Sequence, residues 1–248
     1  MSTQVAVVTT TFSKTVKDLR LQLAIRTVRE IKNLLGYGPI IVDASPDPVK
    51  LALEEAGGQV YQQRPDTTMG SARRQAVSQA LSQGAETIIW MEPEKYPLVE
   101  SLPRLVEFKR LWPYDLVIPR RASLRSYPAY QMAKELEGNH EAGSLTGRPD
   151  LDLWFGPRVM DRRAAELFCS YDGRYGDRWE SIFIPVMMSL RKGLHVTGHT
   201  VDYIHPPEQT ASESGPDMDQ KRDDQLNSLL AAMDQYWLDS TPALSRES

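Results

Sequence analysis

The sequence predicts an α/β fold in which a mostly parallel central sheet is flanked by helices. Strand-like and helix-like segments alternate along the first half of the chain. The strand-like segments are apolar on both faces, which is typical of strands covered on two sides. With 248 residues, 41% of them hydrophobic, the chain can bury a sizeable core in one large domain.

The first half of the chain contains the clearest elements. The β-branched run at residues 4–10 predicts a central strand, and apolar residues at helical spacing predict a helix over 15–35 that ends before Gly36. The other predicted strands and helices, in order, are the strand 39–45, helix 47–57, strand 59–63, helix 69–85, strand 86–91, helix 98–112, which Pro103 is predicted to interrupt, and strand 115–119. This order predicts parallel neighbours, with ligands bound beyond the carboxyl ends of the strands.

The second half of the chain is less regular. Residues 120–150 predict a long excursion over the sheet, and long excursions often serve as lids or binding loops. The elements predicted beyond residue 120 are a short helix at 129–138, a helix at 162–168, a strand-like segment at 195–206 and a helix at 223–237. We therefore predict one catalytic domain at 1–206 and a polar tail, with loose ends, at 207–248.

Composition excludes several classes of function. The chain has 29 Lys and Arg against 33 Asp and Glu, so no broad basic surface is predicted for nucleic acid. Its single cysteine, Cys169, cannot form an internal disulfide, which favours the cytoplasm. No segment has the length of a membrane span or the pattern of a signal peptide. The sequence is compatible with a homo-oligomer.

The segment IIWMEPEKYPL, residues 88–98, raises the central question about function. A buried strand ends there at Glu92 and Glu94, which flank Pro93. Side chains alternate along an extended chain, so the two carboxylates are predicted to point the same way and to share Mg²⁺ or Mn²⁺. The alternative is a pair of solvated turn residues.

Polar residues also follow two other predicted strands, at Thr9–Thr11 and at Asp43–Ser45. The carboxyl ends of parallel strands meet at one edge of a sheet, so we expect these residues and the two glutamates to converge on one crevice.

The order of these segments resembles the GT-A class of nucleotide-sugar glycosyltransferases, especially the inverting family 2 and the retaining mannosylglycerate synthase-like enzymes. The resemblance covers roughly residues 4–206. The segments that carry it are VAVVTTTF, IIVDAS, MGSARRQAV and the E-P-E, which stands where the class has D-x-D. It implies a GT-A, Rossmann-like fold with a nucleotide-binding half at 1–119 and an acceptor half, on the C-terminal side, at 120–206.

The resemblance also implies roles for individual residues. The residues implied to bind the nucleotide sugar are Thr9, Thr10, Asp43, Arg73, Arg74, Gly156 and Arg158. An arginine fork near a helix N-terminus suits phosphate, and a solvated helix face with salt bridges is the alternative for the two arginines of MGSARRQAV. His205 is implied to complete the metal site of Glu92 and Glu94; a structural histidine is the alternative.

In YGDRWES, Asp177 and Glu180 fall where the class carries its catalytic carboxylate, and either could instead cap the helix that follows. The sequence departs from the class by having glutamates in place of the aspartates of D-x-D. The longer side chains push a bound ion outward or abolish its binding, and the adjacent Lys95 offers cationic charge of its own.

The resemblance therefore implies a metal-assisted glycosyltransferase that moves a sugar from a nucleoside-diphosphate sugar to an unidentified acceptor. A catalytically inactive nucleotide-sugar-binding protein is the first alternative. A nucleotidyltransferase is the second, and it ranks lower because TTTFSKTVKD lacks the glycines of a phosphate-binding loop.

Overall fold

The structure is a computed structural model that describes residues 4–65 and 67–240. Residues 1–3 and 66, and the end of the predicted tail at 241–248, lie outside the described residues. The strands are β1 (Val5–Thr11), β2 (Ile40–Asp43), β3 (Gln59–Gln62), β4 (Thr87–Trp90), β5 (Leu116–Arg121), β6 (Arg158–Asp161) and β7 (Val196–Val201). The helices are α1 (Leu19–Leu35), α2 (Asp47–Glu55), α3 (Met69–Ser82), α4 (Leu102–Leu111), α5 (Ala129–Thr146), α6 (Arg162–Ser170), α7 (Glu180–Arg191), α8 (Pro207–Ser212) and α9 (Pro216–Asp239).

The seven strands form one sheet in the order β3-β2-β1-β4-β6-β5-β7. Strand β6 is antiparallel to both neighbours, and the other pairings are parallel. Thr11 of β1 pairs with Asp43 of β2, and Val8 of β1 pairs with Trp90 of β4. The carboxyl ends of these three strands therefore lie at one edge, and the predicted α/β class with a mostly parallel sheet is confirmed.

Helices cover both faces of the sheet, which explains the continuous apolar runs of the strands. In β4, Ile88 and Trp90 pack into the core on one face, while Ile89 packs into the core on the other. All three are at most 1% exposed. Burial of an aliphatic side chain of this size stabilises the fold by about 1.5–3 kcal/mol.

Helix α1 begins later than the pattern of apolar residues predicts. The carboxylate of Asp18 accepts a hydrogen bond from the backbone N–H of Lys14 at 2.9 Å, which holds the preceding residues in a turn. The predicted end is confirmed. Gly36 has φ of 80° and donates its N–H to the carbonyl of Lys32.

Pro103 does not interrupt a helix. A 3₁₀ helix spans Tyr96–Ser101, and α4 starts directly after it, so the proline lies in the first turn of α4. A proline is tolerated there because the missing N–H would have no helical partner.

Helix α5 continues past its predicted end at residue 138. Gly138 lies against the indole of Trp154, and a Cβ at this position would be 2.5 Å from Cε2 of that ring. The glycine therefore serves close packing instead of ending the helix. The αL cap comes at Gly147, with φ of 70°.

Helix α9 is longer than the helix predicted within the polar tail, and it packs on α5 and α7. Its apolar face is buried through Leu226, Leu229, Ala232 and Met233. In the described part of the chain, no helix combines the length and the apolar character that crossing a membrane requires.

Candidate active site

A cleft of about 630 Å³ lies beyond the carboxyl ends of β1 and β4. The predicted site residues that line it are Thr10, Arg73, Glu92, Glu94, Gly156 and His205. The predicted site residues outside its lining are Thr9, Asp43, Arg74, Arg158, Asp177 and Glu180. The structure thus brings the predicted metal ligands into one cleft and leaves both predicted catalytic carboxylates outside it.

The E-P-E segment forms a turn at the end of β4. The carbonyl of Glu92 accepts a hydrogen bond from the backbone N–H of Lys95 at 3.2 Å. The Oε2 atom of Glu92 is buried and has no hydrogen-bond partner among the described residues. Burial raises the pKa of this carboxyl, although the nearby Lys95 opposes the shift. A buried carboxylate oxygen without a partner is a free ligand for a cation.

Gly156 makes room for that carboxylate. It has φ of 99°, a conformation that L-residues rarely adopt, and a Cβ there would lie 2.6 Å from Cδ of Glu92. Arg158 holds the backbone around Gly156 in place. It is 1% exposed and donates hydrogen bonds of 2.9 Å to the carbonyls of Leu153 and Pro157. Burial lowers the pKa of Arg158 to about 10, so the guanidinium remains charged at neutral pH.

Glu94 belongs to a charged cluster that links α1 to α9. Its Oε1 lies 3.1 Å from Nη2 of Arg20, and the same nitrogen lies 3.8 Å from Glu213. Arg222 of α9 binds the other oxygen of Glu213 at 2.6 Å. An arginine therefore already contacts the carboxylate that the E-P-E motif offers to a metal.

His205 is 2% exposed and sits next to this cluster. Its Nδ1 is 2.8 Å from the hydroxyl of Thr210, which can donate to the carbonyl of Ser126 at 3.0 Å. With that donation, Nδ1 carries the proton and Nε2 keeps its lone pair, 3.9 Å from Glu213. Burial, followed by the nearby Lys95, lowers the pKa of His205 to about 4, so the ring is neutral at neutral pH.

The metal-ligating capacity of these residues is incomplete without substrate. Within residues 4–65 and 67–240, no three His, Cys, Asp or Glu side chains are close enough to hold an ion. Mg²⁺ at phosphate-transfer sites, however, is bound through one or two carboxylates plus substrate phosphates. The free oxygen of Glu92, with Glu94 beside it, fits such a site.

Lys95 contributes a cation to the same cleft. It is 8% exposed, and its Nζ lies 4.8 Å from the ring centroid of Phe155 and 5.4 Å from that of Tyr203. Burial disfavours the charged form, yet the phenol of Tyr127 and then the carboxylate of Glu92 outweigh it and leave the pKa of Lys95 above its ordinary value. Among the described residues, no carboxylate lies within 4.0 Å of this ammonium.

The charge of the cleft is opposite in sign to that of the chain, whose net charge is −4. The basic residues of the lining are Arg20, Arg73, Lys95, Arg178, Lys221 and Arg222. The acidic residues of the lining are Glu92, Glu94, Glu135 and Glu213. The excess of cations favours an anionic ligand, because opposite charge concentrates ligands at a cleft.

The strand ends opposite the E-P-E turn are less open than predicted. Asp43 is fully buried, and its carboxylate accepts hydrogen bonds from the hydroxyl of Thr11 and from Ser45, whose N–H and Oγ are both 2.8 Å away. Thr9 is 4% exposed. Of the predicted strand-end residues, Thr10, Thr11 and Ala44 line the cleft, whereas Thr9 and Asp43 do not, and nucleotide contacts of Thr9 and Asp43 stay predictions.

The two arginines of α3 have different partners. Arg73 lines the cleft and donates hydrogen bonds to the carbonyl of Arg178 at 2.5 Å and to Ser181 at 2.8 Å. Burial lowers its pKa to about 10, and it stays charged. Arg74 instead forms a two-pronged ion pair with Asp177, at 2.5 and 3.0 Å. Both arginines thus anchor the loop before α7.

Of the two predicted catalytic carboxylates, Asp177 lies in this anchored loop and Glu180 is the first residue of α7. Asp177 also accepts a hydrogen bond from Thr68, and the bonds from Arg74 and Thr68 outweigh burial and leave its pKa below the ordinary value. Glu180 is 3% exposed and accepts hydrogen bonds from Ser228 and from the N–H of Arg178. Their contacts in the structure hold Arg178 and the adjoining Trp179 at the cleft.

Several cleft residues were missed by reasoning from the sequence. Helices α8 and α9 and the loop between them supply Gln209, Glu213, Lys221, Arg222 and Gln225. Aromatic side chains at the cleft include Tyr127, Trp154 and Trp179. Among these residues, Trp179 could have been found from the sequence, because it is an aromatic residue within the polar stretch YGDRWES and loop residues often bind ligands.

Comparisons with known proteins bear on the fold. No protein-family model matches the chain, and the search of curated protein sequences gave no match. Among solved structures, glucosyl-3-phosphoglycerate synthase from M. tuberculosis is similar, with a TM-score of 0.63 and 13% identity over 94% of this chain and 81% of that chain.

Two further structures are also similar. Glucosyl-3-phosphoglycerate synthase from Mycobacterium tuberculosis in complex with Mn²⁺, UDP-glucose and phosphoglyceric acid has a TM-score of 0.58 and 14% identity, over 94% of this chain and 80% of that chain. Mannosyl-3-phosphoglycerate synthase from Rubrobacter xylanophilus has a TM-score of 0.60 and 17% identity, over 94% of this chain and 73% of that chain. At these identities the likeness establishes architecture alone, and the chain has the GT-A fold.

Proposed function

We propose that the protein is a glycosyltransferase that transfers a sugar from a nucleoside-diphosphate sugar with the help of Mg²⁺ or Mn²⁺. The observation that carries the proposal is that Glu92 and Glu94 line a cleft with an excess of basic residues at the carboxyl ends of the central strands. The GT-A fold supports it, as does the Mn²⁺ and UDP-glucose complex of one structural neighbour.

The donor occupies the side of the cleft formed by β1, α3 and the E-P-E turn. Thr10 lies at the nucleoside end, while Arg73 faces the diphosphate from the α3 side. Glu92 and Glu94 would hold the divalent ion together with phosphate oxygens of the donor. His205, whose Nε2 keeps its lone pair, would have to move closer to the two glutamates to become a further ligand. When bound, the ion offsets the charge that develops on the leaving diphosphate.

The acceptor occupies the side formed by the residues after β5. Gly156 borders the sugar, and Trp154 and Trp179 line this part of the cleft. Aromatic faces pack well against the apolar faces of sugars and exclude water from the reacting centre. In this proposal residues 1–119 form the donor half and residues 120–206 form the acceptor half. Helix α9 forms one wall of the cleft.

Asp177 and Glu180 stay predictions for the catalytic base. Their oxygens are bound to Arg74, Thr68 and Ser228, so proton abstraction from an acceptor requires the loop before α7 to rearrange. The variants Asp177→Asn and Glu180→Gln distinguish the two candidates, because replacing the catalytic base abolishes turnover while donor affinity is retained. Loss of donor affinity in both variants indicates that they position the loop instead.

We also propose the cytoplasm as the compartment, which the single cysteine of the chain supports. A homo-oligomer is part of the same proposal, and sedimentation analysis of the purified protein tests it.

Thermal unfolding with a set of UDP- and GDP-sugars, with and without Mn²⁺, tests the proposed function. A donor at about 100 times its Kd stabilises the protein by about 2.7 kcal/mol, which raises the Tm of a chain of this size by several degrees. The shift is expected to need Mn²⁺ and to fall in Glu92→Gln and Glu94→Gln. Slow hydrolysis of the same donor without acceptor is the expected activity. Absence of a shift with every nucleotide sugar contradicts the proposal.

One observation favours a second candidate, a nucleotide-sugar-binding protein without turnover. Both predicted catalytic carboxylates lie outside the lining of the cleft and accept hydrogen bonds from other protein groups. A donor-dependent thermal shift without hydrolysis or transfer to any acceptor would select this alternative.

A further inference from the structure

The ammonium of Lys95 is the most unusual group in the cleft. Lysine is rarely buried without a carboxylate partner, because removing an ammonium from water costs several kcal/mol when it stays charged. Lys95 is 8% exposed, lines the cleft and has no carboxylate within 4.0 Å among the described residues. Its remaining exposure is therefore directed at the cleft.

The surroundings of Lys95 hold it in place without neutralising it. The backbone turn from Glu92 positions it, and the faces of Phe155 and Tyr203 contribute cation–π attraction at 4.8 and 5.4 Å. The hydroxyls of Tyr127 and Tyr203 are buried and also lack hydrogen-bond partners in the described part of the chain. Unpaired polar groups around one cation indicate a place that a polar anion completes.

The location indicates which part of a ligand is concerned. Lys95 stands at the end of β4, next to Glu92, and its charge acts on His205 at the end of β7. This is the place where the proposed ion and the donor diphosphate meet. Phosphate oxygens are strong acceptors for an ammonium, which lysine offers as a compact charge with three donors.

We propose that Lys95 binds the diphosphate of the donor directly, as a second fixed cation beside the divalent ion. This inference rests on the proposed function and adds a residue that the D-x-D resemblance does not contain. Two sources of positive charge then hold the leaving group. The protein accordingly retains measurable affinity for a nucleoside diphosphate, and for inorganic pyrophosphate, when the metal is removed.

Titration calorimetry with UDP, GDP and inorganic pyrophosphate, in EDTA and in Mn²⁺, tests the proposal on the full chain. Lys95→Met removes the charge and keeps an apolar stem among the aromatic rings, and Lys95→Gln is the second variant if the first unfolds. Loss of one ammonium–phosphate bond is expected to weaken binding roughly 10- to 100-fold in EDTA. Lys192→Met, at the exposed C-terminal cap of α7, is the matched control and is expected to bind as the wild type does.

The outcomes separate the two proposals. Wild-type affinity in both Lys95 variants overturns the role of Lys95 and leaves the proposed function intact. No binding of any of the three ligands by the wild-type protein, in EDTA or in Mn²⁺, overturns both. A loss in the Lys95 variants that exceeds the effect of Lys192→Met supports the inference.

Discussion

Gly156→Ala gives the sharpest test of how the cleft is built. The residue has φ of 99°, and a Cβ there would lie 2.6 Å from Cδ and 2.7 Å from Oε2 of Glu92. Strain of an L-residue in such a conformation costs about 1–3 kcal/mol, and overpacking against a buried group costs about 1–3 kcal/mol more. The expected loss in the free energy of unfolding is therefore about 2–6 kcal/mol.

Gly147→Ala is the matched control. This glycine caps α5 with φ of 70°, and a Cβ there would meet nothing within 4 Å. Only the backbone strain, about 1–2 kcal/mol, is expected. Urea unfolding of both variants measures the difference, and the Mn²⁺-dependent thermal shift with a nucleoside diphosphate measures whether Glu92 has moved. Equal costs in the two variants, with an unchanged metal-dependent shift in Gly156→Ala, would refute the placement of Glu92 against Gly156.

Two further predictions concern charged pairs. Arg20→Ala frees Glu94, so Mn²⁺ affinity at saturating nucleoside diphosphate should rise a few-fold in calorimetry. The free energy of unfolding should change by less than about 1 kcal/mol, because the side chain of Arg20 is largely exposed. Unchanged Mn²⁺ affinity would contradict competition between the arginine and the ion. Asp152→Asn removes a carboxylate that pairs with the fully buried Arg121. It should lower the free energy of unfolding by about 3–5 kcal/mol, measured by urea unfolding. Burial alone would raise the pKa of Asp152, but its bonds with Arg121 hold that pKa below the ordinary value. Its stabilisation is thus present above about pH 4 and is lost as the pH falls through the folded-state pKa, so the acid-induced loss of stability should be smaller in Asp152→Asn.

The sheet could be predicted because its strands are marked by local pattern alone. Strands buried on two faces read as continuous apolar runs, and the residues that end β4 are visible in the sequence as E-P-E. The full length of α5 could not be predicted, because Gly138 looks like a terminator until Trp154 is seen lying against it. Sequence spacing likewise gives no sign that β6 runs antiparallel between β4 and β5.

The candidate site was predictable only in part, for a related reason. The position of Glu92 follows from local pattern, but its environment depends on pairs that are distant in the chain. Arg20 and Glu94 are 74 positions apart, and Arg74 and Asp177 are 103 positions apart. Such pairs are set by tertiary packing, so a single sequence shows the charges without showing which of them meet.

The cluster of Arg20, Glu213 and Arg222 ties α1 to α9. During synthesis on the ribosome, a domain can acquire its ligand-binding surface only after every segment that forms it has emerged. One wall of this cleft comes from α9, so a nascent chain that lacks α9 presents an open, incomplete surface to nucleotide. Competence to bind is therefore a property that the polypeptide gains only after α9 has been translated.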